Sequence, residues 1–304
     1  MKISLLTRRP GRLDRDFFRE KIRAISGRKS GPMAVLESLR RGLAARGVVF
    51  SVNNRIFETV HVISGVRALK YALKLKRAGI IKTLIVGPAI VVFPDDADKI
   101  ILDKNIDVIV FPSLWTKDFF CSRYPELKDK IEIWPAGVAD PGEPKAKNGS
   151  VLIFYKNNQG LLKGIVEFLK GKIKYDIIEY GRFKQADYNK SLNDHQYLVY
   201  LSDSESQGIA LQEAWVRNIP SFVWNRGYWQ VGGAKWPDAK ISAPYLDEAS
   251  GWFFKDLPDF KNKFFDFMAH DFSPRKYCLA NLSDKKSTEI FMKIIKKYDK
   301  QDII

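Results

Sequence analysis

Residues 197–224 read YLVYLSDSESQGIALQEAWVRNIPSFVW and contain a complete strand–loop–helix–strand pattern. The apolar run 197–201 predicts a buried strand, and the helical spacing of apolar residues predicts a helix over 209–217. A second strand is predicted at 221–224. This order is typical of an open α/β sheet with parallel strands, in which ligands bind at the carboxyl ends of the strands.

The loop after the first of these strands carries the side chains with the clearest chemistry. Gly208 lets a phosphate group approach the backbone closely, and the helix N-terminus that follows it favours negative charge. Glu205 lies in the loop, and Glu213 lies inside the helix, about 12 Å further along at ~1.5 Å per residue. Because a carboxylate accepts hydrogen bonds from neighbouring hydroxyl groups, this pair indicates a ligand that carries a ribose or a sugar as well as phosphate.

The alternation of apolar runs and amphipathic helices continues through most of the chain. The Pro-, Gly- and charge-rich stretch 140–150 interrupts it and marks a domain boundary. We therefore predict an α/β fold with two Rossmann-like domains, whose mostly parallel sheets face a central cleft. The predicted strands are 3–6, 48–52, 60–63, 84–86, 108–111, 131–134, 151–155 and 175–180, and the further predicted helices are 32–46, 66–79 and 161–169.

Composition excludes several classes of protein. The 304 residues, 45% of them hydrophobic, suffice for two domains with ordinary cores and exclude wholesale disorder. Two distant cysteines, Cys121 and Cys278, argue against a disulfide framework, and three scattered histidines argue against a His-rich metal centre. The longest apolar run, 83–93, is far shorter than the ~20 residues of a membrane span.

The charge of the chain is high and unevenly distributed. The formal net charge is +16, and residues 1–150 hold 28 Lys or Arg against 16 Asp or Glu. The first half is therefore better suited to attract an anion. Within it, residues 8–46 hold 12 basic and 4 acidic residues, and we predict a basic insertion at about 8–30. This insertion is either a docking site for an anionic acceptor or membrane surface, or a solvated loop.

The stretch ESQGIALQEA at 205–214 resembles the E-x7-E motif of the retaining GT-B glycosyltransferases of the family 4 type. Residues 218–223, which begin Asn-Ile-Pro, resemble the G-x-P-V-V strand of that family, with Asn218 at the usual Gly. Upstream, VFPSLW at 110–115 and IWPAGVAD at 133–140 resemble its vPS-x-w and i-P-N-G-v-D segments, with Ala for the usual Asn and one inserted Ala. The resemblance extends from about residue 31 to the end of the chain.

The resemblance implies a transferase that moves a sugar from a nucleoside-diphosphate sugar, of UDP or GDP type, with retention of the anomeric configuration. It implies that Glu213 holds the ribose hydroxyls and that Glu205 is the catalytic residue, in contact with the donor sugar near the reacting carbon. The donor loop that it implies also contains Ser206, Gln207, Gly208 and Ile209, of which the last two supply amides to the diphosphate.

In the resembled family, cations neutralise the departing diphosphate, and no bound metal or other cofactor is expected. Lys156, in the first strand–helix turn of the second domain, matches one of these cations. The second is either Lys163 or Arg182.

Four residues of the first half are candidates for the N-terminal side of the cleft. Gly31 and Pro32 precede a helix where GT-B proteins often have a glycine loop, although they fit a plain helix start equally well. Gly87 follows a strand at its carboxyl end, where a simple turn is the commoner account. His61 lies on an apolar strand, and there a core histidine is commoner than a catalytic base.

Two further features are open to more than one interpretation. The amphipathic basic segment 289–298 predicts a C-terminal helix that either lies on a membrane or closes a domain with its apolar face. A group of aromatic residues either forms a stacking wall for a sugar or base, or packs in the core. Its members are Trp224, Tyr228, Trp229, Trp236 and Tyr245.

We predict an acceptor-side domain over 1–140, a donor-binding domain over 150–285 and a closing helix over 286–304. The expected partners are a nucleotide sugar and a carbohydrate or lipid-linked acceptor, with no nucleic acid. The expected location is the cytoplasm, either free or at the anionic inner face of the membrane. Two alternatives stay open: an epimerase of nucleotide sugars with the same fold, and a basic nucleic-acid-binding protein, although no motif for nucleic-acid binding is present.

Overall fold

The computed structural model describes residues 1–11, 18, 22, 27, 30–144 and 149–299. Its strands are β1 (Lys2–Leu6), β2 (Val49–Val52), β3 (Thr59–Ser64), β4 (Thr83–Ala89), β5 (Val108–Phe111), β6 (Ile131–Ile133), β7 (Val151–Tyr155), β8 (Tyr175–Glu179), β9 (Tyr197–Leu201), β10 (Ser221–Trp224), β11 (Tyr228–Val231), β12 (Ala234–Pro237) and β13 (Gly251–Phe254). Its helices are α1 (Gly31–Ala45), α2 (Val66–Arg77), α3 (Leu114–Arg123), α4 (Gln159–Leu169), α5 (Gln185–Asp194), α6 (Ile209–Trp215), α7 (Leu257–Ala269), α8 (Pro274–Asn281) and α9 (Asp284–Tyr298). Short helical turns lie at Asp96–Lys99, Ile100–Leu102 and Pro125–Lys130.

The chain divides into two compact units. Unit 1 contains β1 to β6, α1 to α3 and the C-terminal helix α9. Unit 2 spans Val138–Ser283 and contains β7 to β13 and α4 to α8.

Unit 1 is built on a six-stranded sheet with the order β2-β1-β3-β4-β5-β6. All its neighbouring strands pair in parallel. The central strands are almost continuously apolar because helices cover both faces of a parallel sheet. From α1, Leu39 and Leu43 are fully buried, and from α2, Leu69 is fully buried.

The C-terminal helix α9 packs into unit 1 with its apolar face. Phe291 and Ile295 have no exposed surface, and the Phe291 ring lies 4.9 Å from the Trp134 ring. The Trp134 Nε1 donates a hydrogen bond to the carbonyl of Ser287 (3.1 Å), and the Ser287 hydroxyl donates to the carbonyl of Pro135 (2.7 Å). The helix therefore closes a unit, and the alternative that its apolar face lies on a membrane is wrong. Among the described residues, no helix combines the length and the apolar character that crossing a membrane requires.

Unit 2 is built on a five-stranded sheet with the order β13-β10-β9-β7-β8, again parallel throughout. Alternate residues of each strand supply two separate cores, one on each face. On one face, Phe154 and Tyr200 pack with Leu211 and Trp215 of α6. On the other, Val199 and Phe222 belong to a phenylalanine-rich core formed with α7. Strands β11 and β12 form an antiparallel hairpin that belongs to neither sheet.

The predicted α/β class with mostly parallel sheets is confirmed. Predicted strands and helices agree with the structure to within a few residues, although α6 ends at Trp215 and not at residue 217. Most of the predicted basic insertion at 8–30, and the linker residues 145–148, lie outside the described residues. Within the aromatic group, Trp224 and Trp229 are buried and Tyr245 packs against the core, whereas Tyr228 and Trp236 are half-buried.

Candidate active site

Three loops meet along one edge of the unit 2 sheet, where β7, β9 and β10 end. These strands are neighbours and parallel, so their carboxyl ends lie at the same edge, which we call the carboxyl edge. The loops after β7 and β9 are joined directly, because the Asn157 Oδ1 accepts a hydrogen bond from the Asp203 amide (2.9 Å). The Lys156 amide also donates to the carbonyl of Leu201 (2.9 Å).

Glu205 lies at the centre of the polar side chains on this edge. Its Oε1 accepts hydrogen bonds from Lys156 Nζ (3.0 Å), the Tyr200 hydroxyl (2.9 Å) and the Ser202 hydroxyl (2.9 Å). Its backbone amide donates to the carbonyl of Ile241 (2.9 Å), which fixes the loop. Only 16% of the Glu205 side chain is exposed. The carboxylate is thus held in one orientation by partners from three positions of the sheet edge.

The charges around Glu205 keep both of its strongest donors protonated. Burial lowers the pKa of Lys156, but the adjacent Glu205 carboxylate outweighs this and raises the pKa above its usual value. Burial, followed by the charge of Glu205, raises the pKa of the Tyr200 hydroxyl well above its usual value. At neutral pH the site therefore contains an ammonium group and a neutral phenol beside Glu205.

Glu213 is half-buried on α6 and is held by α5. Both of its carboxylate oxygens accept hydrogen bonds from Gln185 Nε2, at 3.2 and 3.1 Å. Burial, and then the charges of Glu213 and Glu205, raises the pKa of Tyr188 well above its usual value. The charges of both glutamates of the E-x7-E pattern thus act on one buried phenol, that of Tyr188 on α5.

The start of α6 has the geometry that the sequence predicts. Gly208 has a φ of 82°, in the left-handed region that favours glycine, and it caps Ile209 at the first position of the helix. Ser206 is exposed. Gln207 is buried, and its Nε2 donates to Gln212 Oε1 (3.0 Å), a contact that supports the loop.

The two cations named as alternatives for the diphosphate are both exposed. Lys163 is exposed on α4. Arg182 is 78% exposed, and its Nε lies 3.1 Å from the Glu179 carboxylate. A different cation, Arg226, follows β10, with its Nη1 at 3.6 Å from Asp203 Oδ1.

Several residues of the site were not found from the sequence. Tyr200 and Ser202 are two positions apart at the end of β9. Because side chains alternate along a strand, the sequence alone could have placed both on the same face of the sheet. Gln185 lies on a helix with few apolar residues, and nothing in the sequence connects it with Glu213. Arg226 likewise reaches the carboxyl edge only through the order of strands in the sheet.

The candidates from the first half of the chain separate into core and surface residues. His61 has no exposed surface, its Nε2 donates to the carbonyl of Gly87 (2.7 Å), and burial lowers its pKa to about 4. Gly87 is buried, and a Cβ there would lie 2.2 Å from the carbonyl oxygen of Val110. We therefore correct both assignments: His61 and Gly87 belong to the core of unit 1. Gly31 and Pro32 begin α1, where Gly31 is exposed.

Metal ligands do not converge anywhere in the part of the chain that the structure describes: no three His, Cys, Asp or Glu side chains are placed to hold an ion together. At the carboxyl edge, Lys156 follows β7 and Arg226 follows β10, while Arg182 and Lys255 follow β8 and β13.

Comparison with known proteins identifies the fold. No family model and no curated protein matches the chain. Among solved structures, the lipopolysaccharide outer core galactosyltransferase WaaB is similar over 98% of this chain and 99% of its own, with a TM-score of 0.60 and 12% identity. The fold is that of the GT-B glycosyltransferases.

Two other solved structures share this fold. A mutant of TarM from S. aureus, solved with fondaparinux, alpha-GlcNAc-glycerol and UDP, is similar over 77% of this chain and 55% of its own (TM-score 0.53, 12% identity). The UDP-GlcNAc 2-epimerase of Methanocaldococcus jannaschii is similar over 98% of this chain and all of its own (TM-score 0.53, 13% identity). At these identities the likeness concerns the fold alone, and transferases and epimerases share it.

Proposed function

We propose that this protein transfers a sugar from a nucleoside-diphosphate sugar to an acceptor, with the donor bound at the carboxyl edge of unit 2. The observation that carries the proposal is the cluster around Glu205 Oε1, which joins Lys156, Tyr200 and Ser202 at the ends of β7 and β9. A fixed carboxylate suits sugar hydroxyls and a fixed ammonium suits phosphate, so one edge carries groups for both halves of such a donor.

The chemistry needs a cation where the leaving group departs. As the bond between the anomeric carbon and the β-phosphate oxygen breaks, its electron pair stays on that oxygen, and Lys156 stabilises the added charge. The acceptor hydroxyl forms the new bond on the same face of the sugar, and its proton passes to the departing phosphate. The anomeric configuration is retained, and no metal takes part.

The other motif residues take the roles that their positions allow. Glu213 binds the ribose hydroxyls, and Gln185 orients its carboxylate through both oxygens. The amides of Gly208 and Ile209, with the Ser206 hydroxyl, line the diphosphate. The nucleotide is of UDP or GDP type, and the co-crystallised UDP in TarM supports a uridine donor.

We propose a carbohydrate or lipid-linked saccharide as the acceptor. WaaB is described as acting on the lipopolysaccharide outer core, and TarM was solved with alpha-GlcNAc-glycerol. Both descriptions support a hydroxyl on a glycan or glycoconjugate. The proposed location is the cytoplasm.

An epimerase is the second candidate, because the M. jannaschii UDP-GlcNAc 2-epimerase shares the fold over nearly all of this chain. An epimerase and a transferase use the same donor but differ in what they need besides it. Transfer requires an acceptor hydroxyl, whereas epimerisation changes the sugar without one.

The test is a set of incubations with UDP-, GDP- and dTDP-sugars, with and without oligosaccharide acceptors, in which NMR follows the released nucleotide and the product. We expect nucleotide release that depends on acceptor, and a product with the donor's anomeric configuration. Glu205→Gln lowers the rate at least ~100-fold because the carboxylate next to the reacting carbon becomes an uncharged amide. Glu167→Gln, at an exposed position of α4, keeps the wild-type rate. An inverted sugar carbon without acceptor would establish the epimerase, and full activity of Glu205→Gln would refute this site.

A further inference from the structure

A second cation lies at the carboxyl edge, on the opposite side of β9 from Lys156. The sheet order β10-β9-β7 places the loop after β9 between the loops after the two other strands. Lys156 follows β7, and Arg226 follows β10. The loop between them supplies Asp203 and Glu205, so each cation faces a carboxylate of the same loop.

The Arg226 side chain is held in place by the hairpin β11–β12. Its Nε donates to the carbonyl of Tyr228 (2.9 Å), and its guanidinium lies 4.5 Å from the centre of the Tyr228 ring. Lys235, from β12, lies over the same ring, with its Nζ at 4.2 Å from the centre. One tyrosine thus orders two cations, and only 21% of the Arg226 side chain is exposed.

The loop that carries Arg226 is also fixed by its own hydrogen bonds. The amide of Gly227 donates to Asn225 Oδ1 (3.0 Å), and the Asn225 amide group donates to the carbonyl of Ala239 (2.6 Å). The amide of Asp238 donates to the carbonyl of Gly227 (3.0 Å), which closes the base of the hairpin. An arginine ordered in this way loses little further side-chain freedom when it binds an anion.

The contact between Arg226 and Asp203 leaves the guanidinium able to take a stronger partner. The Nη1 to Oδ1 distance is 3.6 Å, beyond the 2.7–2.9 Å of a charge-assisted hydrogen bond. Asp203 also acts on the other cation, since its charge contributes to the raised pKa of Lys156. Both cations therefore lie within reach of the charge of one carboxylate.

We propose that Arg226 is the second diphosphate-binding cation of this protein, and that the hairpin β11–β12 exists in this position to hold it. The proposal rests on the proposed function and deepens it. The diphosphate site is then built from the ends of two strands, β7 and β10, and not from a single strand–helix turn. Planar guanidinium donors match two phosphate oxygens at once, while the Lys156 ammonium acts as a point charge.

This arrangement replaces Lys163 and Arg182 as sources of the second cation. Arg182 is 78% exposed and paired with Glu179 on its own turn, so ordering it around a ligand costs more side-chain entropy than ordering Arg226. Arg182 is consequently the matched control: an arginine of the same unit whose charge is equal and whose position differs.

The test is calorimetric titration of the full chain with UDP, GDP and dTDP and with the corresponding nucleosides. For the diphosphate that binds, Arg226→Gln raises Kd at least tenfold, and the Kd of the nucleoside stays within twofold of wild type. Arg226→Lys keeps the charge but loses the planar donors, so its Kd for the diphosphate lies between those of wild type and Arg226→Gln. Arg182→Gln binds the diphosphate like wild type, and Asp203→Asn binds it as well as or better than wild type.

The outcomes separate this proposal from the function on which it rests. If no nucleoside diphosphate binds the wild type, the proposed function fails, and the role of Arg226 fails with it. If Glu213→Ala abolishes binding while Arg226→Gln binds like wild type, the donor site stands and Arg226 has no part in it. If Arg226→Gln weakens binding of the diphosphate and of the nucleoside equally, Arg226 has only a structural role and the proposal is overturned.

Discussion

At the scale of single residues, Glu205 and Lys156 form an ion pair with each other. Their side chains meet at 3.0 Å, and 30% of the lysine side chain is exposed. A diphosphate that binds Lys156 must therefore compete with Glu205 for the ammonium group. In the proposed function, Glu205 therefore has two opposite effects: it weakens binding of the phosphate groups and it supports transfer of the sugar.

Replacing Glu205 by Gln separates these effects. The variant is expected to bind the nucleoside diphosphate without its sugar several-fold more tightly than wild type, because an uncharged amide competes less well for Lys156. It is expected to lose transfer of the sugar at the same time. Calorimetry with the diphosphate and turnover with the full donor measure the two effects. Lys156→Met is the counterpart and weakens diphosphate binding; tighter binding by Lys156→Met would contradict this account.

His61 couples the stability of unit 1 to pH. Its pKa is lowered from 6.5 to about 4 in the folded protein, because burial disfavours the charged ring. Between pH 6.5 and pH 4, His61 is protonated in the unfolded chain but stays neutral in the folded chain. The stabilisation is thus complete above pH 6.5 and is lost as the pH falls towards 4, by about 3 kcal/mol.

Denaturant unfolding at pH 7 and at pH 4.5 measures this loss for wild type and for His61→Gln, whose amide retains a donor for the carbonyl of Gly87. The variant is expected to lose markedly less stability between the two pH values than the wild type. An identical loss in both proteins would show that His61 does not carry the effect.

The sequence predicts single residues well where local pattern decides their place. Glu205 and Gly208 follow directly from a strand, a loop and a helix start, and the structure places them at those positions. Gln185 and Arg226 reach the site through α5 and β10, and only the folding of distant segments brings them near the motif. The commoner interpretation of His61, as a core residue, is also the one that the structure has.

At the scale of elements, the close packing of α9 on α1 depends on Gly42. A Cβ at this position would lie 1.7 Å from Thr288 Oγ1 and 2.8 Å from Thr288 Cβ. The two helices therefore approach each other where α1 has no side chain. This close approach lets α9 bury its apolar face, which carries the fully buried Phe291 and Ile295.

A larger residue at position 42 is expected to separate the helices. Gly42→Val destabilises unit 1 by about 1–3 kcal/mol, as overpacked cores do, and Thr288→Ala added to it restores part of the loss. Gly31→Ala, at the exposed start of the same helix where a Cβ meets nothing within 4 Å, is the control and stays close to wild type. Equal stability of Gly42→Val and wild type in thermal unfolding would contradict this packing.

The strands and helices that could be predicted from the sequence are those with a clear pattern of apolar residues. Strands β7 and β9 are continuous apolar runs, and their bounds match the sequence prediction to the residue. Helix α5, with the sequence QADYNKSLND, has only Tyr188 and Leu192 buried, too few apolar positions to reveal a period. The hairpin β11–β12 lies outside the sheet and packs largely through Trp229, so no alternation marked it.

At the scale of the whole molecule, the net charge of +16 does not come from the proposed donor site. There the cations Lys156 and Arg226 are each matched by a carboxylate of the loop after β9. Excess positive charge lies elsewhere, for example on α2, which carries two arginines and three lysines and no acidic residue. The composition alone favoured an anionic partner. The basic residues of α2 are not part of the cluster that pairs Lys156 with Glu205 and Arg226 with Asp203.

In the proposed function, unit 2 binds a nucleoside-diphosphate sugar through the E-x7-E pattern, and calorimetric titration of wild type and Glu213→Ala with UDP-, GDP- and dTDP-sugars measures this binding. We expect one nucleotide class to bind the wild type, and Glu213→Ala to weaken this binding at least tenfold because the ribose hydroxyls lose a charged acceptor. Glu167→Gln should bind like wild type. Absence of binding by every donor, or equal binding by wild type and Glu213→Ala, would contradict it.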